Sequence, residues 1–181
     1  MSRKVLEIGP GHNPQAQRIW EGAVVETMDM DETANPTHLH NANSIPEELH
    51  GQYDIVFASH VLEHFSYKDT ATVMQEWAKA LKPGGEMHLV VPSLEWCARE
   101  VLEPTQGKSL TVLIMLYGGH NNPWDFHMVG FTVRHLRALC DQIGMPVVRA
   151  RSGPCMINAF GTLVESEQHY ICCVKRSDHE V

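Results

Sequence analysis

Apolar and polar positions along the chain switch repeatedly between two periods. Short apolar runs recur at KVLEIG (4–9), AVVETMDMD (23–31), YDIVFASHVLEHF (53–65) and EMHLVVPS (86–93), with a weaker one at THLHNA (37–42). Each reads as a buried strand, and the fourth runs into a helix start. Between the runs the spacing becomes helical. DTATVMQEWAKALKPGG places Val73, Met74, Trp77, Ala78 and Leu81 on one face before Pro83-Gly84-Gly85 stops the helix. After the first strand, Asn13 and Pro14 read as N-cap and first helical position of PQAQRIWEG. SLTVLIMLY (109–117) predicts a helix and GGHNNPWDFHMVGF (118–131) an irregular stretch, the kind of segment in which loops carry function. Thr132 caps a last helix, Phe131 and Leu136 stand at hydrophobic-staple spacing, and Gly144 ends it. PVVRARS (146–152) and HYICCVKR (169–176) close the chain as two strands with no helix predicted between them, which allows an antiparallel hairpin.

Alternating strands and helices predict an α/β fold: a mostly parallel sheet, covered on both faces, with ligands bound outside the carboxyl ends of its strands. Those ends are Gly9–His12, Asp29–Asp31, His40–Ala42, Ser59–His64 and Pro92–Leu94. At 181 residues and without repeats or linkers, the chain reads as one domain over 1–181, with 94–130 as a substrate-side insert or lid.

Composition narrows the partners. Five cysteines without CxxC spacing suggest neither a disulfide framework nor a zinc ribbon, so a reducing compartment is expected. The N-terminus has no signal-like apolar region and the longest apolar run is too short to span a bilayer, so a soluble cytoplasmic protein without membrane contact is expected. A formal charge of −8 argues against a broad grip on a nucleic-acid backbone.

VLEIGPGHNPQ is a strand running into a Gly-rich turn, a cradle that several nucleotide-like cofactors use. A nicotinamide fingerprint needs a third glycine, but Gly9-Pro10-Gly11-His12-Asn13-Pro14 puts proline there. Asp29 supplies the acid expected about 20 residues after the turn, yet any adenosine cofactor offers hydroxyls to that position. VLEIGPG, YDIVFASHVLEHF and WAKALKPGGEMHLVVPS together, in that order and spacing, resemble the class I S-adenosylmethionine-dependent methyltransferases. The resemblance is close over residues 4–92. It implies a Rossmann-like, doubly wound, three-layered, seven-stranded sheet with an antiparallel last strand, S-adenosyl-L-methionine as cofactor, and methyl transfer to oxygen or nitrogen of a non-nucleic-acid acceptor, small or glycan-like.

The resemblance also implies site residues. Glu7, Gly9, Pro10 and Gly11 match the first motif, where the backbone lies under the cofactor and the acid helps fix its methionine end. Asp29 matches the ribose acid, with Asp31 as the competing choice, and Met30 beside it packs on adenine. Asn41 and Ala42 match the adenine-side position, and Ser59 and His60 the point where cofactor meets substrate. His60 is the candidate general base; His127 joins it if the irregular stretch folds over the mouth. Trp124, Phe126 and His127 resemble a variable substrate-side insert. Twelve histidines, with His60 and His64 four apart, invite a metal, but no carboxylate or cysteine completes a ligand spacing, so none is expected. Ser59-His60-Val61-Leu62 stands where amino-methylating nucleic-acid enzymes carry a Pro-Pro-Tyr motif, which disfavours base methylation. Helices that roof many such sites are not predicted before the first strand at Lys4, so either an open mouth suited to a large or polymeric acceptor, or a lid from 94–130 or from a second subunit of a homo-oligomer, is expected. The alternatives are a non-catalytic cofactor-binding partner subunit and, further off, a nicotinamide oxidoreductase.

Overall fold

The computed structural model describes residues 2–159 and 162–176. Its strands are β1 (Lys4–Ile8), β2 (Val24–Asp29), β3 (His38–Leu39), β4 (Tyr53–Ser59), β5 (Leu81–Pro92), β6 (Val147–Ala159) and β7 (Thr162–Val174). They form one sheet in the order β3-β2-β1-β4-β5-β7-β6. β1 to β5 pair in parallel, whereas β7 runs antiparallel to both β5 and β6. The order reverses beside β1, so the ends of β1 and β4 border the crevice in which such sheets bind ligands. The turn of the closing hairpin lies outside the described residues.

Strand alternation sorts the side chains into two faces. Leu6, Ile8, Val56, Ala58, Met87, Leu89 and Ile171 pack against α2 (Thr70–Ala80) and α5 (Val133–Gln142) in the main core. Trp77 is its largest sealed side chain, and its indole N–H donates to the Ala42 carbonyl at 2.7 Å, tying α2 to the loop after β3. Val5, Ile55, Phe57 and Val90 face the other way and meet α1 (Ala16–Ile19) and Trp20, so the third layer is thin there. α3 (Leu94–Leu102) and α4 (Ser109–Tyr117) pack on each other through Trp96, Cys97, Val112 and Met115.

Several expectations need correction. The first helix is one turn beginning at Ala16; Asn13 and Pro14 stand outside it, and Asn13 N–H closes a turn on Pro10 O at 3.2 Å. β4 leads into a single 3-10 turn at Leu62–His64, and the helix begins only at Thr70. The closing hairpin is longer than its two apolar runs, because residues 153–159 and 162–168 pair as well. Thr132 caps α5 by accepting from His135 N–H, and Phe131 and Leu136 are both buried, as the pattern predicts. All five cysteines are free thiols, and no described helix is long and apolar enough to cross a membrane.

Candidate active site

The loops after β1, β2, β3 and β4 surround a cavity of about 570 Å³. Its floor is built from backbone. Gly9 turns with φ +62°, donates its N–H to Met28 O at 2.8 Å, and sits so close to Val61 that a Cβ would lie 2.8 Å from a valine methyl. Gly11, at φ +53°, faces open space in which a Cβ would meet nothing within 4 Å. Two acids hold this loop. Glu7, 2% exposed, points to the α1 face of the sheet, where its oxygens accept from Gln15 N–H at 2.7 Å and Ala16 N–H at 3.0 Å. Asp29 accepts from Gly11 N–H at 2.8 Å with one oxygen and from Asp31 N–H at 2.9 Å with the other.

Of the residues expected at a cofactor, Gly9, Gly11, Asp29, Met30, Asn41 and Ala42 line this cavity, together with Asp31 and His60. Glu7, Pro10 and Ser59 do not; Glu7 supports the loop from beneath, and Ser59 lines the neighbouring clefts. Asn41 spends its side-chain oxygen on Asn43 N–H at 2.9 Å, a local turn. Thr33 holds the Asp31 carboxyl below its ordinary range by hydrogen bonds from its hydroxyl and its N–H.

The roof is the irregular stretch. Asn122–Phe126 and Met128 border the cavity. Asp125 organises it, accepting from Gly119 N–H, Asn121 N–H and the Asn121 amide at 3.2, 3.1 and 2.7 Å. Gly118 lets the chain cross itself: a Cβ there would stand 2.3 Å from Asp125 O. Met128 N–H donates to Glu63 O at 2.7 Å and clamps the roof on the 3-10 turn.

His60 adopts φ +57°, an uncommon conformation for a side-chain-bearing residue. Its Nδ1 lies 3.2 Å from Glu63 Oε1 and its Nε2 3.1 Å from Gln168 Oε1, which arrives from β7. Burial opposes its charged form, but Glu63 and Gln168 outweigh that and raise its pKa. Glu63 is 1% exposed; burial again opposes the charge, but His60 above all, then His127 and His64, bring its pKa below the usual carboxylate value. His127 is withdrawn from the cavity wall, with Nδ1 3.0 Å from Met115 O and Nε2 3.9 Å from Glu63 Oε1. Burial lowers its pKa in spite of Glu63. Sequence reasoning assigned Glu63 and Gln168 no role. Glu63 was visible near the end of YDIVFASHVLEHF, whereas nothing local marks Gln168.

A glycine-lined cradle at a sheet reversal, with an acid at the next strand end, defines an α/β protein built to hold a nucleoside-bearing cofactor. Residues 2–149 match the family described as methyltransferase domain, and the chain belongs to that family, with the class I fold and S-adenosylmethionine as cofactor. No curated protein matches in sequence. Among solved structures, a SAM-dependent methyltransferase from Methanosarcina mazei aligns with TM-score 0.73 and 16% identity, over 98% of this chain and 94% of that one. The 1,6-didemethyltoxoflavin-N1-methyltransferase of Burkholderia thailandensis aligns with TM-score 0.63 and 13% identity, over 97% and 72%. A methyltransferase of Haloferax volcanii complexed with the Trm112 activator aligns with TM-score 0.64 and 15% identity, over 99% and 85%. The cavity has room and lining of the kind such a cofactor requires: a Cβ on Gly11 would meet nothing within 4 Å, the Asp29 carboxylate lies at the rim, and Met30, Ala42 and Phe65 supply apolar surface.

Proposed function

We propose that the chain methylates an oxygen or nitrogen of a small or glycan-like acceptor, with His60 as the group that takes the acceptor's proton. The observation that carries this reading is the position of His60, whose side chain lines both the cofactor cavity and a second cleft of about 650 Å³. That cleft is bounded by Asn13, Arg18, Met156, Ile157 and Gln168, and it opens between the first loop and the closing hairpin. S-adenosylmethionine, when bound, supplies a methyl group activated by its sulfonium. The protein's share is then to hold the nucleophile in line and receive its proton. Glu63 faces Nδ1 from behind the His60 ring and Gln168 Oε1 faces Nε2, so Nε2 takes the acceptor's proton only when the ring is neutral and the acceptor has displaced Gln168. Asn122–Phe126 and Met128 act as the lid, within the single domain expected over 1–181. The negative net charge supports a small acceptor over nucleic acid, and the Burkholderia enzyme, which binds 1,6-didemethyltoxoflavin on a similar fold, lends support to the same reading.

The test combines calorimetry with S-adenosylhomocysteine and incubation of the protein with methyl-labelled cofactor and fractionated metabolite pools. His60→Ala is expected to keep S-adenosylhomocysteine affinity while transfer falls by about 10²- to 10⁴-fold. Full activity in that variant would remove His60 from the reaction. Cofactor binding without transfer to any fraction would favour the partner-subunit reading.

A further inference from the structure

We propose that Glu63, His64 and His127 form a binding site for a divalent transition-metal cation of the zinc type, behind the wall of the cofactor cavity that His64 lines. A carboxylate oxygen of Glu63 and one ring nitrogen from each histidine all lie within 4.8 Å of one another. His127 Nε2 and Glu63 Oε1 are 3.9 Å apart. Ligand atoms around a tetrahedral cation with bonds of about 2.0–2.1 Å stand about 3.3 Å from each other, so a contraction of about half an ångström completes that pair.

Two further observations point to a ligand here. Glu63 is 1% exposed, and neither of its carboxylate oxygens has a hydrogen-bond partner among the described residues, although His60 Nδ1 stands 3.2 Å from Oε1. Buried carboxylate oxygens normally accept hydrogen bonds, and those of Glu63 accept none among the described residues even with three histidines around them. Secondly, each histidine bonds a backbone carbonyl through Nδ1: His64 to Phe126 O at 3.1 Å, His127 to Met115 O at 3.0 Å. A carbonyl only accepts, so Nδ1 carries the proton and Nε2 of a neutral ring keeps its lone pair. Metal-binding histidines are commonly fixed in this way. Two imidazoles and one carboxylate are a donor set that zinc uses in sites with an open coordination position. His64, Phe126 and Met128 border the cofactor cavity, so such a position would be reachable from it. Glu63 and His127 are 64 positions apart, and only the folded roof joins them.

Titrating the untagged protein with Co²⁺ and then Zn²⁺ tests this. One equivalent of Co²⁺ should bind with the visible bands of a tetrahedral site, lack the near-ultraviolet thiolate band, and be displaced by Zn²⁺. His64→Ala and His127→Ala should each weaken Zn²⁺ binding by 100-fold or more, while Cys172→Ser, in the separate Glu86–His88–Cys172 cluster, leaves it unchanged. If His127→Ala does not fold, judged by circular dichroism, His64→Ala on the cavity wall carries the comparison. The proposal is overturned if neither metal binds, if binding survives in His64→Ala, or if a thiolate band shows the ion on cysteine. These readouts are independent of methyl transfer.

Discussion

Glu7 and Glu63 are both sealed from water, yet only Glu7 has its acceptors filled. That difference separates support from chemistry. Glu7→Ala removes two hydrogen bonds to a carboxylate and should lower unfolding free energy by about 2–4 kcal/mol in urea, with Glu7→Gln losing less. A loss below about half a kcal/mol would mean that the first loop does not depend on it. The two cradle glycines should also part company. Gly9→Ala combines a left-handed backbone with a methyl driven against Val61, at a cost of about 2–4 kcal/mol in stability. Gly11→Ala meets no protein atom, so only the backbone cost of about 1–2 kcal/mol applies. Its methyl instead enters the cavity, and S-adenosylhomocysteine affinity should fall at least tenfold by calorimetry. If Gly11→Ala binds as the native chain does, the cofactor does not lie on this loop.

Among the elements, those with a clear period were legible in the sequence. The strands and α2 follow from their apolar spacing, and α5 from its cap, staple and terminal glycine. α1 and α3 were not legible as they stand. α1 is one turn whose N-terminus is satisfied by Glu7, a residue eight positions away that no local capping rule would select. α3 buries only Trp96 and Cys97 and so has no long apolar stripe; its signal was Ser93, which accepts from Trp96 N–H at the end of β5. The roof had no period at all, because its order comes from Asp125 and from the clamp of Met128 on Glu63. Asp125→Ala should therefore loosen residues 118–126 without unfolding the sheet. Hydrogen exchange should show faster exchange at Gly119 and Asn121, with the unfolding midpoint changed little. Unaltered protection there would show that packing of Phe126 on His120, with ring centroids 4.1 Å apart, holds the roof alone.

Across the whole molecule, one topological rule made half of the site readable, because loops at the carboxyl ends of parallel strands must converge. Gln168 and the Glu63–His127 contact come from the hairpin and the roof, which depart from that rule. The same convergence of strands creates a charged knot at the opposite side of β2. Glu26 accepts from Tyr53 OH and bonds His38 Nε2 at 2.9 Å, while Lys4 Nζ lies 2.9 Å away, so one carboxylate joins β1, β2, β3 and β4. Burial opposes its ionisation, but Tyr53, His38 and Lys4 outweigh that and hold its pKa at about 2, against 4.5 for the unperturbed group. A carboxylate depressed in the folded state favours folding above its unfolded pKa, and that contribution disappears as pH falls toward the folded value. Stability supplied by Glu26 should thus be complete above pH 4.5 and vanish on approach to pH 2. Urea midpoints of native protein and Glu26→Gln should differ at neutral pH, with the native chain more stable, and converge as the solution is acidified through that window. A difference that stays constant down to the acid limit would show that the knot contributes by packing and not by charge.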